Sequence, residues 1–134
     1  MATRLAKINA NGKVHDDDSI DLFGGDEEED YSFSKNVTLE QGGFSKSYED
    51  SKTVDGEVRL TIKLDMQADA AGIITASGVI ELWEGPDWNM GGSKGIDATN
   101  IMPGEMKSVY DGRVDDKEGD WATVKLEIQN ANGG

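Results

Sequence analysis

The sequence contains no cysteine and only one histidine, His15. Without thiols there is no disulfide framework, no Cys nucleophile and no thiolate metal site, and a lone imidazole is too little for zinc. Any Ser-His-Asp arrangement would have to use His15, whose neighbours Asp16, Asp17 and Asp18 would make it more basic without orienting it against a nucleophile. Bases are scarce too: 13 Lys and Arg stand against 27 Asp and Glu, a net charge of −14. Nucleic-acid binding relies on Lys and Arg to neutralise phosphates, so no nucleic acid is expected as a ligand. An anionic membrane is disfavoured for the same reason unless Ca²⁺ bridges the two surfaces. No apolar run reaches membrane length, and residues 1–8 show no signal peptide, so a cytoplasmic location is the default expectation. Helices are also missing from the pattern, because no window holds an i, i+3, i+4, i+7 apolar stripe capped at both ends.

Strand periodicity is what the chain does have. Val58, Leu60, Ile62, Leu64 and Met66 alternate with Arg59, Thr61, Lys63, Asp65 and Gln67, the period of two expected of a strand with one wet face. After a break at 68–72, Ile74, Ala76, Gly78, Ile80 and Leu82 repeat the alternation, and the two segments read as an antiparallel hairpin. The last strand is equally plain, with Ala122, Val124, Leu126 and Ile128 against Thr123, Lys125, Glu127 and Gln129, followed by a tail expected to fray from Asn130. Weaker alternations suggest strands over 3–9, 31–41 and 106–114, with a turn at Asn11-Gly12 and a short strand over 19–23. Residues 85–104, between Pro86 and Pro103, have no period and read as a long loop. Together these predict one all-β domain over residues 1–134, an antiparallel β-sandwich of seven to eight strands with Greek-key or jelly-roll-like connections.

The acids are unevenly placed. Nine lie between positions 15 and 30 with no Lys or Arg among them, which leaves 18 acids against 13 bases elsewhere. Asp16, Asp17 and Asp18, and the run holding Asp111, Asp115, Asp116 and Asp120, are candidate Ca²⁺ ligands, since a hard cation takes several carboxylate oxygens from loops. Neither matches the EF-hand spacing, and charge runs more often mark solvated surface. Asp26 to Asp30 would also serve as an electrostatic handle for a basic protein surface. Trp83, Trp88 and Met90, around the long loop, are candidate binding residues for a protein partner or a glycan, although a large aromatic commonly just pins its loop. The run Gly91-Gly92-Ser93-Lys94-Gly95 lacks the spacing and the following helix of a phosphate loop.

These features favour a non-enzymatic binding or structural module acting through a protein partner or self-assembly. The alternatives are a calcium-dependent carbohydrate- or membrane-binding module and a carboxylate-based hydrolase. The last has little support, because with 27 acids some pair at any required separation is inevitable.

Overall fold

The computed structural model describes residues 2–17 and 27–133. It is all-β: eight strands, β1 (Thr3–Asp16), β2 (Glu27–Glu40), β3 (Lys46–Val54), β4 (Val58–Ala68), β5 (Ile74–Glu84), β6 (Asn89–Ile101), β7 (Met106–Asp115) and β8 (Trp121–Asn132). They form two four-stranded antiparallel sheets, ordered β2-β1-β8-β7 and β3-β4-β5-β6. The expected sandwich is therefore present. Its connectivity is simpler than a Greek key or jelly roll: within each sheet the paired strands are successive in sequence, except that β8 pairs back onto β1 from Arg4↔Asn132 to His15↔Trp121, and the chain changes sheet between β2 and β3 and between β6 and β7. The long hairpins account for this, since short turns between adjacent antiparallel strands leave no crossover to make.

The core lies between the sheets. Ile8, Leu60, Ile62, Ile80, Leu126 and Ile128 are each at most 1% exposed, and burying such a side chain is worth about 2 kcal/mol. β4 and β5 supply the densest part, as their alternation predicts: Val58↔Glu84 through Ala68↔Ile74 pair without a slip. The turn ahead of β4 has Asp55 at φ 56° and Gly56 at φ 67°, with the Glu57 N–H donating to Val54 O at 3.1 Å. Two positive φ values in a tight turn suit the right-handed twist of the flanking strands, and Asp-Gly supplies them cheaply.

Three sequence expectations are overturned. Residues 85–104 are mostly strand, not loop: β6 is an edge strand whose residues are largely exposed on both sides, so it shows no alternation. Gly91 and Gly92 lie where the end of β7 crosses β6. A Cβ on Gly91 would sit 2.7 Å from the Asp116 Cβ, and one on Gly92 would run into the Asp115 carbonyl. Asn11-Gly12 is no turn either, because β1 runs straight through it. Gly12 lets the Thr123 backbone come close and Tyr31 reach across, its hydroxyl donating to Thr123 O at 2.7 Å. Asn130, expected to begin a frayed tail, is fully buried. Its Nδ2 donates to Gly72 O at 2.7 Å and Ile101 O at 2.9 Å, while Arg4 Nε donates to its Oδ1 at 2.8 Å. The strand expected over 19–23 lies outside the described residues.

The two sheets meet without hydrogen bonding at the β2/β3 seam. There Lys35, Asp50 and Lys52 fall on the core-facing parity, and Lys52 Nζ reaches Glu29 of β2 at 3.6 Å. Charges that point inward at an edge discourage further strand pairing.

Candidate functional site

Because the strands run up and down in order, the turns fall alternately at the two ends. One end collects the tip of β1 with Asp16 and Asp17, the β3–β4 turn, the β5–β6 turn and the β7–β8 turn. Acids separated by up to a hundred positions in sequence meet there. One oxygen from each of Glu84, Asp116 and Asp120 lies within 4.8 Å of the other two, and Asp16, Asp55 and Glu57 form a second such group.

The β7–β8 turn is folded around Asp116. Its Oδ1 accepts the N–H groups of Glu118 at 2.8 Å and Asp120 at 3.0 Å, and its own N–H donates to Asp120 O at 3.0 Å. Asp120, only 6% exposed, accepts the Asp17 N–H on Oδ1 at 2.8 Å, which ties the turn to the tip of β1. Gly119 sits at φ +100° with the Asp17 carboxylate packed where a side chain would be. Among the described residues no N–H group donates to the buried Asp116 Oδ2.

Crowding decides how these groups ionise. Glu84 is pushed up to about 8, chiefly by its hydrogen bond to Asp116, then by burial and by Asp120. Asp120 is pushed up to about 6 by burial and by Asp116. Burial opposes the charge on Asp116 as well, but the hydrogen bonds from Glu84, Asp120 and the two backbone N–H groups outweigh it and hold that carboxyl below its ordinary range. At neutral pH Glu84 is therefore a protonated donor to an ionised Asp116.

Beside this end, on the outer face of the β3-β4-β5-β6 sheet, Arg59, Trp83 and Met90 stand in one cross-strand row. The Arg59 guanidinium lies over the Trp88 ring at 4.0 Å, and its Nε donates to Thr53 Oγ1 at 3.1 Å. Trp88 adopts φ 50°, a strained value for an aromatic residue, to present that ring. In the next row Thr61 and Glu81 are 5% and 7% exposed although they face outward, and Lys63 Nζ is 2.9 Å from Glu81 Oε1. That contact raises the Lys63 amine above its ordinary value. Glu49, Arg59, Thr61, Lys63 and Trp83 line an open groove of about 220 Å³.

Of the residues singled out from sequence, Trp83, Trp88 and Met90 are brought together around Arg59, and Asp16, Asp17, Asp116 and Asp120 gather at the acidic end. Asp111 does not join them: it is within β7, opposite Lys125. Asp115 also stays apart, exposed and held at 2.7 Å by the Arg113 Nη2. Asp18 lies outside the described residues. Glu84, Asp55, Glu57 and Arg59 escaped the sequence reading because Glu84 ends β5 while the other three belong to the β3–β4 turn and the start of β4, and only the order of the strands brings these pieces to the same end. His15 stacks on Trp121 at 4.9 Å with 6° between the planes, and Arg113 lies 4.7 Å from the same ring. Part of the acidic run is neutralised within the fold, as Lys13 lies 3.5 Å from Glu28 and 3.8 Å from Asp30.

No family model matches the chain, and no curated protein matches it. Among solved structures, the secretin InvG of the Salmonella SPI-1 type III secretion injectisome (residues 176 to the end, open gate state) is similar at 11% identity, with a TM-score of 0.31 over 98% of this chain. The chain spans 60% of that secretin chain, a likeness too slight to bear on function.

Proposed function

We propose that the protein is a non-catalytic binding module that docks a basic protein surface onto its acidic end. The observation that carries this reading is the crowding of acids at one end, where one oxygen from each of Glu84, Asp116 and Asp120 lies within 4.8 Å of the other two and Asp16, Asp55 and Glu57 form a second such group; that crowding, with burial, pushes Glu84 up to about 8. A Lys or Arg from a partner relieves that crowding through charge-assisted hydrogen bonds, and the surrounding field makes association fast and salt-sensitive. Hydrolysis fits the same residues less well: Glu84 and Asp116 hydrogen-bond to each other, which leaves no room between them for a glycosidic bond. The test is a titration of the amide-resolved NMR spectrum with an Arg/Lys-rich peptide at low and at physiological salt. Shifts at 55–57, 84–88 and 116–120 that weaken with salt support the reading, and shifts confined to the opposite end around Phe44 and Met102 would refute it.

A second reading, a divalent cation such as Ca²⁺ at Glu84, Asp116 and Asp120, is favoured by the 4.8 Å spacing of their oxygens, since Ca²⁺ gathers several carboxylate oxygens around itself. The ion would take the place of the shared proton, so its binding would strengthen as pH rises.

A further inference from the structure

We propose that the groove on the outer face of the β3-β4-β5-β6 sheet is a saccharide subsite for a uronate, a pyranose ring bearing one carboxylate, with Arg59 as the carboxylate receptor and Trp83 as the ring platform. It is distinct from the acidic end and independent of the reading proposed for it.

Arg59 is the unusual residue. In a chain with 27 acids and 13 bases it pairs with no carboxylate among the described residues. It is nonetheless held in place: the guanidinium stacks on Trp88 at 4.0 Å, and Nε is spent on Thr53 Oγ1 at 3.1 Å. Among the described residues nothing takes the Nη donors, and half-buried Arg59 lines a groove of about 220 Å³. A planar fork fixed by stacking matches a carboxylate with both of its donors and loses little freedom in doing so.

The rest of the lining selects what carries the carboxylate. Trp83 offers an indole whose electron-rich face attracts the weakly positive C–H groups on one side of a sugar ring. Thr61, Lys63 and Glu49 supply donors and acceptors around it, as a ring rich in hydroxyls requires. Lys63 is already neutralised by Glu81 at 2.9 Å, and Glu49 on the same lining adds its own negative charge beside Lys63, so Arg59 is the cation among the lining residues that stands outside an ion pair and can take one carboxylate. A polyanion is repelled by the net charge of −14, whereas a single carboxylate close to Arg59 is not.

The probes are methyl glucuronide, with one carboxylate on one ring, the neutral methyl glucoside and acetate, followed by calorimetry and tryptophan fluorescence on the full chain. Saturable binding of methyl glucuronide, at least about tenfold tighter than either methyl glucoside or acetate, is expected. Arg59→Gln should weaken it about tenfold or more, Arg59→Lys less, and Trp83→Phe should weaken it while leaving the melting curve in place. Lys94→Gln, outside the groove, should change nothing. Absence of saturable binding at millimolar methyl glucuronide, equal affinity for methyl glucoside, acetate binding as tightly as the glucuronide, or an unaffected Arg59→Gln would each overturn the proposal.

Discussion

Replacing Asn130 with alanine tests the claim that the end of β8 is a structural clamp. Its side chain makes three hydrogen bonds, two donated to the carbonyls of Gly72 and Ile101 and one accepted from Arg4. At a site with no exposure, truncation strands both carbonyls, each at a cost of about 1–3 kcal/mol, while half-buried Arg4 recovers water. With the small cavity left behind, the total is about 3–5 kcal/mol. For a chain of this length that corresponds to a fall in Tm of about 11–18 °C. Urea and thermal unfolding followed by circular dichroism measure it. Asn130→Asp is the companion: it keeps the volume and the acceptor for Arg4 but turns an oxygen on two carbonyls. It should be at least as damaging as alanine at neutral pH and partly rescued in acid, where a protonated carboxyl regains one donor. A loss below about 1 kcal/mol in Asn130→Ala would refute the clamp, since even one stranded carbonyl costs that much.

Three further outcomes follow from the site and its scaffold. Glu84 keeps its proton to about pH 8 in the fold but ionises near pH 4 when unfolded, so folding takes up a proton between those limits and stability falls as pH rises toward 8. Glu84→Gln, a mimic of the protonated form, should therefore melt progressively higher than the parent as pH is raised from about 5 to 8, and parallel curves would contradict the assignment. Millimolar Ca²⁺ at about 100 times its dissociation constant should add about 2.7 kcal/mol over EDTA if the carboxylates hold an ion. An equal effect of Mg²⁺, or a gain that survives Asp116→Asn, would remove that reading. Gly78→Ala places a Cβ against the Lys63 backbone of the neighbouring strand and should cost about 1–3 kcal/mol in urea unfolding; a neutral result would show that the β4–β5 approach is slack.

Legibility in the sequence followed burial. β4, β5 and β8 each have one face in the core and one in water, and their alternation marked them at once. β6 gave no such signal, because an edge strand wet on both sides has no reason to alternate, and its glycines serve the crossing of β7 rather than a turn. Gly12 misled for a related reason, since a glycine kept for the close approach of Thr123 looks in sequence like one kept for a bend. The acidic end was half visible. Asp16, Asp17, Asp116 and Asp120 stood in obvious clusters, whereas Glu84 ends a strand with no acid within two positions, and its role depends on a turn some thirty residues away. Asp111 was drawn in by an Asp-Gly pair that proves to lie inside β7, where the Tyr110 ring covers Gly112.

The pairing of β8 with β1 also sets how the protein yields to tension. Thr3 and Gly133 are joined at the same end of the molecule, where the Gly133 N–H donates to Thr3 O at 3.1 Å. A load applied through residues 3 and 133 meets the hydrogen bonds of this antiparallel ladder one after another instead of shearing them together. The ladder should therefore peel open at modest force, starting at Arg4↔Asn132. Arg4 at that first pair and Asn130 two residues in form the first catch, and once they part the fastening of Gly72 and Ile101 goes with them. The same ring of neighbouring strands that gathers the carboxylates at one end leaves a zipper at the other.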